Sequence, residues 1–247
     1  MSRGLGDVYK RQALFEDYGF DVRYRYKDAD IIYVSPSHMT RWGDVMPNKR
    51  RIELTKYSAA NGSLVIEDDY ESDFQYNSRP TPSLYALSGG SNVVYLGSFS
   101  RLLLPSIRIS FMILTNELAQ KYRQNIYKFS QTASKTEQMA LCSFIRDGRL
   151  MAQIRKTRRF YTSKTKIFYS ILKNKFPDCK IEISENLLQV ILHVPFDGDE
   201  HTFEKSGIKL YIEKYKSGTI TLVLSPGGIQ QSKLESAADA LKKSIGK

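Results

Sequence analysis

Residues 64–76 read LVIEDDYESDFQY, and residues 94–114 read VYLGSFSRLLLPSIRISFMIL. Each segment opens with a short apolar run rich in β-branched residues, which is typical of a strand buried in a sheet. The first run leads into the acidic sequence EDDY at 67–70, and the second leads into SFSR at 98–101. We therefore expect two buried strands that each end in chemically active side chains.

Similar short elements flank these segments. We expect a helix from Pro47 to about Ala60, stopped by Asn61-Gly62. The predicted strands of this half are Ile31–Val34, Leu64–Ile66, Val93–Leu96 and Ile107–Leu114. Short apolar strands separated by crossovers predict a parallel sheet covered on both faces.

After Thr115 the pattern changes to helices followed by alternating strands. The predicted helices are Glu117–Phe129, Glu137–Arg146, about Leu150–Lys175 and about Lys233–Ile245. The predicted strands are Lys180–Ile183, Leu188–Val194, Ile208–Ile212 and Thr219–Leu224. This half reads as a smaller α+β domain joined by a long helix.

Composition narrows the function classes without choosing one. No apolar run approaches the roughly 20 residues of a membrane span. Cys142 and Cys179 belong to no CxxC or Cys/His cluster, so neither a disulfide framework nor a zinc site is predicted, and a reducing cytoplasm is the default. The 37 Lys+Arg against 26 Asp+Glu give a formal charge of +11, with the densest cluster at 155–159. That charge fits either a solvated lysine-rich surface or nucleic-acid binding.

The two quoted segments resemble the effector domain of MocR-like regulators of the GntR superfamily, which is similar to a fold type I pyridoxal-phosphate-dependent aminotransferase. The resemblance extends loosely from Ala13 to about Leu241. It implies an α/β fold, with a partial large domain and mainly parallel sheet at 13–130 and a small C-terminal domain at 131–247. Residues 1–12 resemble a translated sequencing adapter, and we expect a non-native tail there.

The resemblance also implies a cofactor site. Asp68 matches the carboxylate that keeps the pyridine nitrogen of the cofactor protonated, and Tyr70 matches the phenol that binds its ring hydroxyl. Ser98 and Arg108 match the hydroxyl and the guanidinium that hold the phosphate. Taken alone, EDDY also fits an ordinary loop with capping carboxylates.

Arg101 stands where the family has its Schiff-base lysine. An arginine stays protonated and does not act as an amine nucleophile. The resemblance therefore implies that the catalytic position is inactive in this chain. The loop with Pro36-Ser37-His38 and Gly43 matches the family's PSHQxPTG motif only at its two ends. The last arginine of the chain is Arg159, so the strands near 219–224 lack the arginine that clamps a substrate carboxylate in aminotransferases.

The leading hypothesis is a degenerate pyridoxal-phosphate-binding sensor domain of a MocR-like regulator. It implies a cytoplasmic protein, a homodimeric full-length parent, an amino-compound effector, and DNA binding through an N-terminal winged-helix domain that this sequence lacks. The phosphate loop and the stacking aromatic of the family are also expected to precede this sequence. The alternatives are an aminotransferase acting on amino acids, against which Arg101 argues, and a basic nucleic-acid-binding protein.

Overall fold

The computed structural model describes residues 28–39, 45–69, 81–100, 103, 105–130, 132–184, 187–196, 211–216 and 218–245. The predicted tail at 1–12 and two of the predicted site residues, Tyr70 and Arg101, lie outside these ranges.

Two four-stranded sheets form the described part of the chain. The strands of the first sheet are β1 Ile31–Val34, β2 Leu64–Asp69, β3 Val93–Ser98 and β4 Ser110–Ile113. Those of the second are β5 Lys180–Ile183, β6 Val190–Pro195, β7 Tyr211–Lys216 and β8 Thr219–Leu224.

The described ranges also contain six α-helices. They are α1 Asn48–Asn61, α2 Leu84–Leu87, α3 Asn116–Gln124, α4 Lys135–Arg146, α5 Arg149–Lys175 and α6 Leu234–Ser244. Among these residues, no helix combines the length and the apolar character that a membrane crossing requires.

Local sequence signals set the limits of several helices. Gly62 ends α1 in the left-handed conformation, with φ of 69°, and its N–H donates to the carbonyl of Ser58. Thr115 caps α3 by accepting a hydrogen bond from the N–H of Leu118. The predicted end of α1 at Asn61-Gly62 is therefore confirmed. The helix predicted for 117–129 is shorter, because it ends at Gln124 and a 3-10 turn follows at Ile126–Lys128.

The first sheet is mainly parallel, as predicted, but its last strand is not. Strands β1, β2 and β3 run parallel in the order β1-β2-β3, whereas β4 pairs antiparallel with β3. All four residues of β4 are exposed. The mainly parallel sheet is therefore confirmed, and the coverage expected on both faces is not observed at β4. The link at 99–109 is too short for a parallel crossover, which needs a dozen or more residues.

The second sheet is antiparallel throughout, in the order β5-β6-β8-β7. Helices α5 and α6 pack together beside it and cover an apolar cluster that includes Phe168, Leu192 and Leu222. Three of its predicted strands are confirmed closely, and the strand predicted at 208–212 overlaps the observed strand at Tyr211–Lys216, while residues 208–210 lie outside the described ranges. The domain boundary near residue 130 remains a prediction.

Candidate functional site at the edge of the first sheet

One edge of the first sheet collects three of the predicted site residues. Asp68 of β2 lies opposite Leu96 of β3, and Ser98 ends β3 opposite Ser110, where β4 begins. Because β4 is antiparallel, its start lies at the same edge as the carboxyl ends of β2 and β3. Ligands of open α/β sheets bind beyond such ends.

Arg108 lies two residues before the start of β4. Its side chain is exposed, and its backbone is in the left-handed region, with a φ of 46°. Positive φ is uncommon for a residue other than glycine, and such strained backbone clusters at functional sites. Asp68, Ser98 and Arg108 therefore share a sheet edge. Their convergence on one ligand remains a prediction.

The two adjacent aspartates have different surroundings. Successive side chains of a strand point to opposite faces of the sheet. The hydroxyl of Tyr33 in β1 donates to Oδ2 of Asp68. On the other face, Asp69 accepts hydrogen bonds from Oγ of Ser37 at 2.6 Å and from the hydroxyl of Tyr95 at 2.7 Å. Asp69 is therefore tied to the protein on the face opposite Asp68.

Behind Asp69 lies a buried pair of opposite charges. Glu67 is 1% exposed, and its carboxylate accepts hydrogen bonds from the backbone N–H groups of Leu84 at 2.9 Å and Tyr85 at 3.0 Å. Arg51 of α1 is 3% exposed, and its Nη1 lies 3.9 Å from Oε1 of Glu67. The guanidinium donates to three carbonyl oxygens, those of Pro36, Met46 and Pro82.

Burial dominates the electrostatics of this pair. It raises the pKa of Glu67, against the two backbone hydrogen bonds and the charge of Arg51, which lower it. Burial likewise lowers the pKa of Arg51, and the negative charges of Glu67 and Asp69 oppose that shift. The pair therefore fixes α1, β2 and the start of α2 in place at a cost in desolvation.

Four residues around the site were not predicted from the sequence to belong to it: Arg51, Glu67, Ser37 and Tyr95. A signal for Arg51 was present, since it shares the i, i+3, i+4, i+7 spacing of the buried residues Leu54, Thr55 and Ser58. An arginine on the buried stripe of a helix requires an acidic or carbonyl partner. The alternation of β2 also places Glu67 on the same face as buried Val65.

A groove of about 440 Å³ lies beside this edge, between the start of β4 and helix α4. Its lining includes Phe99, Ile109, Phe111, Leu141 and Cys142, and it contains none of the predicted cofactor-binding residues. The rings of Phe99 and Phe111 lie 5.2 Å apart. The groove is mainly apolar and does not resemble a phosphate site.

Comparisons with known proteins place the chain among regulators. No family model matches it. The HTH-type transcriptional regulator YdeL of Bacillus subtilis is 34% identical over 226 residues, covering 87% of this chain and 49% of the regulator. The "Probable rhizopine catabolism regulatory protein MocR" of Rhizobium meliloti is 30% identical over 156 residues, covering 63% of this chain and 31% of that protein. The chain thus spans half or less of the length of these relatives.

Solved structures agree on the fold. The kynurenine aminotransferase of Pyrococcus horikoshii matches with a TM-score of 0.70 at 19% identity, covering 98% of this chain and 61% of the enzyme. At that identity the likeness establishes the fold alone. Together with the regulator relatives, it shows that this chain belongs with the MocR-like regulators and has the fold type I aminotransferase-like architecture of their effector domain.

Proposed function

We propose that this chain is the cofactor-binding sensor domain of a MocR-like transcription regulator, with its Schiff-base position taken by Arg101. The observation that carries the proposal is the shared sheet edge. A carboxylate, a hydroxyl and a guanidinium stand at the ends of three neighbouring strands. These are the groups that a protonated pyridine ring and a phosphate require.

Each predicted site residue would have a distinct part in holding pyridoxal phosphate. Asp68 would pair with the pyridine nitrogen, while the hydrogen bond from Tyr33 orients its carboxylate. Ser98 and Arg108 would donate to the phosphate, since a guanidinium can donate twice to it. Tyr70 would bind the ring hydroxyl. When bound, the cofactor supplies an aldehyde and an electron-withdrawing ring for amino compounds.

The presence of Arg101 at the Schiff-base position favours a sensor over an enzyme. An arginine keeps its proton and cannot form the covalent bond to the cofactor that a lysine amine forms. Amino-group transfer, the alternative activity, depends on that lysine. A sensor needs only to bind the cofactor and an amino-compound effector. We therefore favour binding without turnover.

The remaining properties belong to the proposed full-length parent. They are a homodimer, a cytoplasmic location and DNA binding through an N-terminal winged-helix domain. The description of YdeL as an HTH-type transcriptional regulator supports the last of these.

The experiment measures cofactor binding to the purified chain. We expect weak, non-covalent binding in a fluorescence titration with pyridoxal phosphate, and no cofactor-lysine adduct in mass spectra after borohydride reduction. Arg101→Lys should give a partial adduct at residue 101. A specific, stoichiometric adduct on a lysine of the cofactor pocket in the unchanged chain would overturn the proposed role of Arg101.

Substitutions at two acidic residues test whether Asp68 contacts the cofactor. Asp68→Asn should weaken the non-covalent binding about tenfold or more, because a charge-assisted hydrogen bond contributes roughly 1.5–3 kcal/mol. Glu53→Gln is the control, since Glu53 is exposed on α1 away from the sheet edge. Equal affinities of these two variants would show that Asp68 does not contact the cofactor.

A further inference from the structure

Helix α5 carries charge of one sign only. Its 27 residues include nine lysines and arginines and no aspartate or glutamate. Several of these cations have structural partners: Arg149 pairs with Asp147, Lys175 pairs with Asp239, and the buried Lys164 donates to the carbonyl of Gly227. Four of the remaining cations lie along one side of the helix.

Four of the cations form a line along the helix, which we call the basic stripe: Arg155, Arg159, Lys166 and Lys173. Their spacing of four, seven and seven residues keeps them within about 40° of one another around the axis, because each residue turns the helix by about 100°. The stripe extends about 27 Å at 1.5 Å per residue. All four side chains are exposed, and exposed Ser163 and Ser170 lie between them.

The stripe faces away from the protein core. The buried residues of α5, among them Ile154, Phe168 and Leu172, lie roughly 100–180° around the helix from it. Within the described ranges, none of the four cations forms a salt bridge with an acidic side chain. Packing and ion pairing in the described part of the chain therefore leave the stripe's function unexplained.

We propose that the basic stripe binds the phosphate backbone of duplex DNA. The inference does not depend on the proposed binding of pyridoxal phosphate. A length of about 27 Å corresponds to roughly eight base pairs at 3.4 Å per pair. Arginine, lysine and serine are side chains that contact phosphates and fix a protein on a duplex without reading sequence.

A duplex fits the stripe better than a single strand. Proteins that bind single strands stack the bases on aromatic side chains. The aromatic residue of α5 nearest to the stripe, Tyr169, is half-buried against the apolar cluster, and the exposed Phe160 lies about 100° around the axis from Arg159. DNA is the partner we choose because the matched relatives are described as transcriptional regulators.

The test is the salt dependence of binding of the 247-residue chain to a fluorescein-labelled 30-base-pair duplex of arbitrary sequence. Four phosphate contacts predict a slope of log K against log salt of about −3.6, which weakens binding roughly 100-fold between 50 and 200 mM salt. A variant with all four stripe cations changed to glutamine should lose most of this slope. Glutamine maintains helix propensity, so thermal unfolding should match the parent chain.

A matched variant separates the stripe from net charge. Glutamine at four exposed lysines elsewhere, Lys49, Lys56, Lys233 and Lys243, lowers the net charge by the same amount. This variant should retain the parent's slope to within about one unit. Equal losses in the two variants would overturn the proposal in favour of general charge attraction. Tighter binding to single-stranded DNA, duplex RNA or anionic lipid vesicles than to duplex DNA would also overturn it.

Discussion

Among the residues that the structure describes, helices α5 and α6 cover a cluster of 14 buried apolar residues behind the antiparallel sheet, whereas the cluster behind the first sheet has six. The first sheet instead buries the charged pair Arg51 and Glu67. It also leaves apolar side chains of β4 exposed, with Met112 at 60%. The second sheet is thus stabilised mainly by apolar burial, and the first uses buried polar groups that fix its edge.

The geometry of the candidate site depends mainly on polar contacts. Apolar packing is tolerant of small shifts, while hydrogen bonds to buried charges impose direction and distance. Glu67 and Asp69 are held by named donors on one face, and Asp68 lies on the other face. The sheet that bears the site therefore has less apolar burial and more fixed polar contacts.

The largest effect should come from the apolar core of the second sheet. Leu222 is 0% exposed in β8, and Leu222→Ala should destabilise the protein by about 2–5 kcal/mol through lost burial and a cavity. Met112→Ala on exposed β4 should change stability by less than about 0.5 kcal/mol. Urea unfolding measures both. Similar losses at the two positions would contradict the contrast between the sheets.

The buried pair of the first sheet gives the next effect. Glu67→Gln replaces one acceptor by an amide NH₂ that faces a backbone donor, and it removes the charge beside Arg51. We expect a loss of roughly 1–3 kcal/mol in urea unfolding. Glu53→Gln, on an exposed pair with Arg50, is the control and should be nearly neutral. A neutral Glu67→Gln would mean that the polar cluster does not stabilise this sheet.

A smaller effect should follow from Gly97→Ala. A Cβ at this position would overlap the ring of Phe111, which lies across the glycine. Moving the ring should cost roughly 1 kcal/mol. Adding Phe111→Ala should make the glycine change nearly neutral, and a double-mutant cycle measures that coupling. Gly228→Ala is the control, since a Cβ there meets nothing within 4 Å. Additive losses would contradict the contact.

The smallest effect is the pH dependence contributed by Glu67. Its folded-state pKa is raised above the ordinary value of 4.5. At a pH between these two pKa values, the native state therefore binds more protons than the unfolded state. The stability contributed by Glu67 is therefore fully present below its unfolded pKa and falls as pH rises through the folded pKa. Comparing urea unfolding of the parent and Glu67→Gln from pH 4 to 8 should show the parent losing stability relative to the variant. The opposite trend would show that Arg51 outweighs burial.

The sequence predicted the local elements well. The limits of β1, the glycine end of α1 and the extent of β5 and β8 were all found from periodicity and end signals. The resemblance to MocR-like regulators predicted Asp68, Ser98 and Arg108 as cofactor ligands, and the fold brings these three residues to one edge, while their roles remain predictions. Tyr70 and Arg101 lie outside the described residues, so their roles remain predictions from the sequence.

The sequence is sufficient for features that depend on residues close to one another in the chain. These features are strand and helix periodicity, the left-handed Gly62, and the acidic motif at the end of β2. The side chains that surround Asp69 and the carboxylate that pairs with Arg51 became evident only once the fold was known. Periodicity records which face of an element is buried but not which distant element covers it. A buried charge finds its partner through packing between elements, so the partner is settled only when the chain folds.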